Sequence, residues 1–177
     1  MKEVSMKPLL RRAGAGFLAL AALLTAGGCT LRTQTAFTID GVVTTNRQVS
    51  VMIDGCAAAL GSPSEIPATV LVTEMIHADV AQRLAAANNI AYSDEELRQP
   101  LESGALGDLA KAMLGDPACA QLALDLTLEV LVVRELGGTV YAQAVGQIPI
   151  TVNPRFGVWN PADMSVDGSG SLSQKDG

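Results

Sequence analysis

"GDPACAQLALDLTLEVLVVRELGG", residues 115–138, decides the fold. Leu122, Leu124, Leu126, Leu128 and Val130 alternate with other residues, a pattern that fits a strand. The two ends say otherwise. Asp116 is a helix-capping residue, and Pro117 suits the first helical position, where no intrahelical donor is needed. Gly137-Gly138 supplies a stop. The run between them is about 20 residues, several times the usual strand. A helix is therefore expected. Asp125 and Glu129 fall on one stripe, and nearly everything else is apolar, so this helix should be central and mostly buried.

Helical signals recur on its N-terminal side. Thr45 followed by Gln48 has capping-box spacing, and it opens a helix over about 46–60 with Val49, Met52, Ile53, Cys56 and Leu60 on one face. Gly55 inside that helix costs up to ~1 kcal/mol relative to alanine. Gly61 ends it. A longer helix is expected over about 66–88, with Pro67 in its first turn. Val72, Ile76, Val80 and Leu84 form its core-facing stripe, and Asn88-Asn89 ends it. Ser93 and Glu96 box the start of a third helix, and Asp94 and Glu95 oppose its positive end. Pro100 interrupts this helix. A short helical patch follows over 104–114, and "TVYAQAVGQ" reads as a further short helix. Strand signals are few. "AFTIDGVV", residues 36–43, alternates Phe37 and Ile39 and breaks at the turn Asp40-Gly41. Ile148, Ile150 and Val152 alternate, with Pro149 placing that strand at an edge or a start. "DGSGSLSQKDG" has no apolar pattern, and residues 165–177 read as a disordered tail.

The N-terminus reads as an export signal. Lys2, Lys7, Arg11 and Arg12 precede an uncharged run from Ala13 to Ala26, and the small residues Gly27 and Gly28 lead to Cys29. The alternative, a buried core helix, leaves the basic block before the run unexplained. "LLTAGGCTLRT", residues 23–33, resembles a bacterial lipoprotein signal, in which the residue after cleavage is a cysteine that receives a diacylglycerol thioether. Gly27 and Gly28 fit that motif, whereas Ala26 stands where it usually has leucine. The resemblance implies cleavage between Gly28 and Cys29, removal of 1–28, lipidation of Cys29 and a tether over 29–36. The protein would then be held outside the cytoplasm on the cell membrane through covalent lipid.

Cleavage there leaves 149 of the 177 residues, enough for one domain. Four of the 12 basic residues and one of the 18 acidic ones lie in 1–28, so the remainder carries a net charge of −9. Such a surface argues against nucleic acid and against an electrostatic grip on anionic lipid. With Cys29 assigned to lipid, Cys56 and Cys119 remain as an even pair. Exported chains meet an oxidising compartment, where such a pair tends to close; two separate buried thiols are the alternative.

Three phrases in order resemble the N-terminal domain of SurA-type and PrsA-type extracytoplasmic chaperones. "IDGVVTTNRQV", residues 39–49, resembles their opening strand-turn. "IAYSDEEL", residues 90–97, resembles the phrase that starts a later helix. "ITVNPRFGVWNP", residues 150–161, is similar to the end of small actinobacterial lipoproteins that carry this domain without a parvulin prolyl-isomerase domain. The resemblance covers about residues 36–164 and implies a domain over 37–164. Its fold would be mainly α: a small helical bundle with a short two-stranded β pairing, strands near 37–43 and 148–153, joining the two ends. It implies a monomer without catalysis or cofactor that binds unfolded or partly folded exported polypeptides.

The remaining chemistry is sparse. His77 is the only histidine, and Glu74 lies three residues before it on the same helix, so a boundary histidine beside a carboxylate is expected rather than a metal or acid–base site. Asp94, Glu95 and Glu96 point in different directions at a helix start, so they read as a terminal charge bias and not as a calcium site. Arg155 reads as a turn residue, and Phe156 and Trp159 as cover for the core edge. No catalytic residue and no metal ligand set emerges, and no residues for polypeptide binding can be named. Three classes stay open: a polypeptide-binding chaperone module, an accessory envelope lipoprotein for one folded partner, and a small-molecule binder. An exposed apolar groove favours the first two, a closed cavity the third.

Overall fold

The computed structural model describes residues 34–61 and 66–168. The expected signal segment 1–28, Gly28 and Cys29 at its end, most of the tether and the tail beyond 168 lie outside the described residues. The domain is mainly helical with two small antiparallel sheets. Phe37 and Ile39, 1% and 0% exposed, make β1 (Thr35–Ile39) the sheet's buried centre. The chain reverses at Asp40-Gly41, where both residues have positive φ, 50° and 78°. This two-residue turn matches the right-handed twist of a hairpin. It leads into β2 (Val42–Thr45), paired Ile39 to Val42 and Phe37 to Thr44. On the other edge of β1 lies β3 (Ile150–Val152), antiparallel, with Phe37 opposite Val152 and Ile39 opposite Ile150. The two ends of the domain are thus joined by the expected pairing of the strands near 37–43 and 148–153. Two boundaries differ. The sheet has three strands, because Val42–Thr45 pairs before the helix begins, and β1 starts at Thr35, inside the expected tether. Asn153 draws that start in: its side-chain amide donates to the Thr35 carbonyl at 2.8 Å and its backbone N–H to the Ala36 carbonyl at 2.8 Å.

Thr45 opens α1 (Asn46–Leu60) with both halves of the capping box, and Gly61 closes it in the left-handed conformation at φ 68°. Helix α2 (Ala68–Ala87) buries Val72, Ile76, Val80 and Leu84. Pro67 caps that helix from outside rather than entering its first turn. Ser93 and Glu96 box α3 (Asp94–Glu102), which runs through Pro100 instead of stopping there. Leu101, 1% exposed, anchors the extra turn, and only two residues follow the proline. The 104–114 patch is a five-residue helix, α4 (Asp108–Ala112), continued by a 3₁₀ turn at Met113–Gly115.

The deciding stretch is helical: α5 (Pro117–Leu136), capped by Asp116, whose Oδ1 accepts from the N–H groups of Ala118 and Cys119. It packs against α1, α2, α3 and the following α6 (Gly138–Gln147). Cys56 on α1 and Cys119 in the first turn of α5 form a disulfide with Cα atoms 4.7 Å apart, among Leu71, Ala78 and Leu122. A larger apolar cluster joins β1, α2, α6 and Phe156, and a third sits under α3 with Leu97, Leu101, Ala123 and Leu124.

The tail expected from 165 begins too early. Ser165–Asp167 is a strand, β5, hairpinned to β4 (Val158–Asn160) with Trp159 opposite Val166. Val166 is buried, and its N–H donates to Thr73 Oγ1 of α2 at 3.0 Å. Gly157 admits the hairpin: at φ 126° a Cβ there would run into the Asp167 carbonyl.

Candidate functional site

Helix α5 is central but not enclosed. Val130 is 54% exposed, and beside it opens a groove of about 230 Å³. One wall is Ala123, Leu126, Thr127 and Val130 of α5, and the other is Leu101, Leu106, Ala110 and Met113. No lining side chain is ionisable. The single polar one, Thr127, is buried and gives its hydroxyl to the Ala123 carbonyl at 2.8 Å, so the groove offers mainly apolar contact. Local sequence explains the outer wall. Gly104 and Gly107, at φ 74° and 95°, bracket Leu106 in a tight connection that only glycine enters without strain. The helix after it is one turn long, leaving Leu106 41% and Leu109 68% exposed. Short elements with exposed apolar side chains are the low-stability parts of a fold, the kind that adapts to a ligand.

A second, smaller hollow of about 180 Å³ lies between α1, α2 and α5, floored by Phe37, Met52, Met75 and Leu122 and rimmed by Asp79 and Asp125. Burial raises the Asp125 carboxyl above its ordinary range, opposed by hydrogen bonds from Gln82 and Gln121 and reinforced by the Asp79 charge. Gln121 donates to it at 3.0 Å.

The third cluster surrounds His77, a half-buried boundary histidine beside carboxylates, as expected, and bonded at both ring nitrogens. Its partners are the Met164 carbonyl at 2.6 Å and Glu129 of α5 at 3.4 Å, rather than Glu74 alone. Tyr141 donates to the same Glu129 oxygen at 3.1 Å. Burial pushes the Tyr141 hydroxyl up, helped by the Glu129 charge and that hydrogen bond. Burial also raises the Glu74 carboxyl, while the His77 charge lowers it and the Glu129 charge raises it. At the α3 start the Ser93 cap holds the exposed Glu96 carboxyl below its usual range.

The remaining sequence candidates fall as follows. Cys56 and Cys119 are joined. Arg155 occupies a turn fixed by Asn153, its guanidinium 5.0 Å from the Phe156 ring, and Phe156 and Trp159 pack on the core edge. Among the described residues no group of three His, Cys, Asp or Glu side chains could hold a metal ion, and no helix is long and apolar enough to cross a membrane. The groove residues were not foreseen. Their one sequence signal was Leu106, set between Gly104 and Gly107 in a stretch that read as an ordinary helical patch. No protein-family model, curated protein or solved structure matches the chain.

Proposed function

We propose that the protein is a membrane-anchored extracytoplasmic lipoprotein, lipidated at Cys29, whose helical domain holds unfolded or partly folded exported polypeptides without catalysing a reaction. The observation that carries this reading is the open, mainly apolar groove between α5 and the α3–α4 connection. An unfolded chain presents apolar side chains in no fixed arrangement, and a surface of Leu and Met with one adaptable wall accepts many such arrangements. Further support comes from the disulfide, which suits an oxidising compartment, and from the resemblance to SurA-type and PrsA-type chaperone domains. The groove is open, which disfavours the small-molecule reading. A second reading, one folded envelope partner, is favoured by edge strand β2, where Val42 and Val43 are exposed beside unpaired backbone.

The purified protein at several-fold excess should slow aggregation of several unfolded exported clients. Val130→Asp places a charge in the groove at a position exposed enough to leave the fold intact. Apolar burial of one such side chain contributes roughly 1.5–3 kcal/mol, so the variant should bind clients on the order of ten-fold more weakly. Unchanged circular dichroism and melting would certify its fold. A wild-type protein without effect on any client, or a Val130→Asp variant as active as wild type, removes the groove from the function.

A further inference from the structure

We propose that His77 is a proton-operated latch that holds the β4–β5 hairpin on helix α2. This inference is independent of the polypeptide-binding reading. The Met164 carbonyl can only accept, so the His77 Nε2 at 2.6 Å donates to it. The other ring nitrogen, Nδ1, lies 3.4 Å from Glu129 Oε1, an oxygen that already accepts from Tyr141. An ionised carboxylate also only accepts, so Nδ1 is attracted to it when it carries its own proton. A ring that donates through both nitrogens is an imidazolium. A neutral ring that keeps the Met164 bond turns its Nδ1 lone pair toward the carboxylate, and attraction becomes repulsion.

The surroundings make this one site decisive. The ring meets Glu74 from its own helix, Glu129 from α5, Tyr141 beside it from α6, and the Trp159 edge from β4 at 6.3 Å between ring centroids. The hairpin's own acids, Asp163 and Asp167, are both engaged by the Asn160 amide, at 2.8 and 2.9 Å. Arg155, on the turn before the hairpin, stacks on Phe156. Met164 has φ 51°, a left-handed conformation that a residue with a side chain adopts at a cost. The carbonyl that His77 holds therefore belongs to the strained residue of the hairpin. Besides this bond, the described polar ties from the hairpin to α2 reduce to Val166 N–H on Thr73 Oγ1. Burial raises the Glu74 carboxyl, while the His77 charge lowers it; Glu129 is the carboxylate that lies within ion-pair distance of the ring, at 3.4 Å. The latch is thus closed in a window of pH in which Glu129 is ionised and His77 protonated. It loosens on the acid side when Glu129 gains a proton and on the alkaline side when His77 loses one.

Hydrogen exchange tests it on the purified protein. The Val166 amide reports hairpin opening, and the Val80 amide in α2 reports opening of the core. With intrinsic rates corrected across about pH 4 to 9, Val166 protection relative to Val80 should peak within the window and fall on the order of ten-fold on each side. His77→Gln retains a donor for Met164 but has no proton to lose, so its alkaline fall should vanish. Val166 protection that parallels Val80 at every pH, or an alkaline fall that survives His77→Gln, overturns the latch. Should His77→Gln fail to fold, the ring nitrogen shifts of wild type decide: both nitrogens protonated where Val166 is protected supports the latch, and a neutral ring there refutes it.

Discussion

Replacing Cys56 and Cys119 together by alanine is expected to lower unfolding stability by about 4 kcal/mol. The bridge spans a sequence separation of 63 residues, and closing so long a loop in the unfolded chain is where the chain-entropy account places the stabilisation. Position adds to length. The bond ties the middle of α1 to the first turn of α5, and both sulfur-bearing residues are buried, 1% and 0% exposed. Without it α1 keeps the apolar contacts of Val49, Met52 and Ile53 with the surrounding clusters. Since natural domains have only about 5–15 kcal/mol in total, the variant should be marginal at physiological temperature. Denaturant titration against oxidised wild type measures the difference. A loss below about 1 kcal/mol would contradict the chain-entropy account of the bridge.

Gly55→Ala is expected to destabilise by about 1–3 kcal/mol, although alanine in place of a helix-interior glycine ordinarily stabilises by up to about 1 kcal/mol. The reversal of sign comes from across the interface. A Cβ on Gly55 would collide with Asp116 Oδ1 and press on the Ala118 side chain. Asp116 cannot simply turn away, because the same oxygen caps α5 through Ala118 N–H at 2.8 Å and Cys119 N–H at 3.3 Å. The neighbouring Cys56–Cys119 bridge keeps the two helices from separating. A double-mutant cycle isolates the cause. With Asp116→Ala already present, the added Gly55→Ala substitution should cost less than about 1 kcal/mol. A Gly55→Ala protein more stable than wild type would show that α1 and α5 are not in the close approach described here.

Gly55 also shows where sequence and structure part. In the sequence it is a flaw in α1; in the fold it is the gap that admits the cap of another helix. Much of the local chemistry was legible, though not the passage of α3 through Pro100: the Thr45–Gln48 and Ser93–Glu96 boxes, the α2 stripe, and Asp116-Pro117, which decided α5 against its alternating leucines. Each is written in residues three or four apart. Partners distant in the chain were not legible. Spacing pointed His77 to Glu74 on its own helix, whereas Glu129 and Met164 reach it only after α5 and the hairpin have docked. Strands β4 and β5 are three residues each, and β5 adjoins a Gly- and Ser-rich end, so composition hid it until Val166 proved buried. The groove escaped for a related reason. Its outer wall is a glycine-bracketed connection and one helical turn, and no periodicity marks which face of α5 such a wall leaves open.

The polypeptide-binding claim is tested most directly by where an unfolded client touches the domain. A photo-crosslinking side chain at Leu106, on the groove, and one at Val42, on edge strand β2, sample two exposed positions, 41% and 55% accessible. An unfolded exported client should be captured at 106 and not at 42. Capture at 42 alone, or equally at both, would contradict the groove as the binding surface.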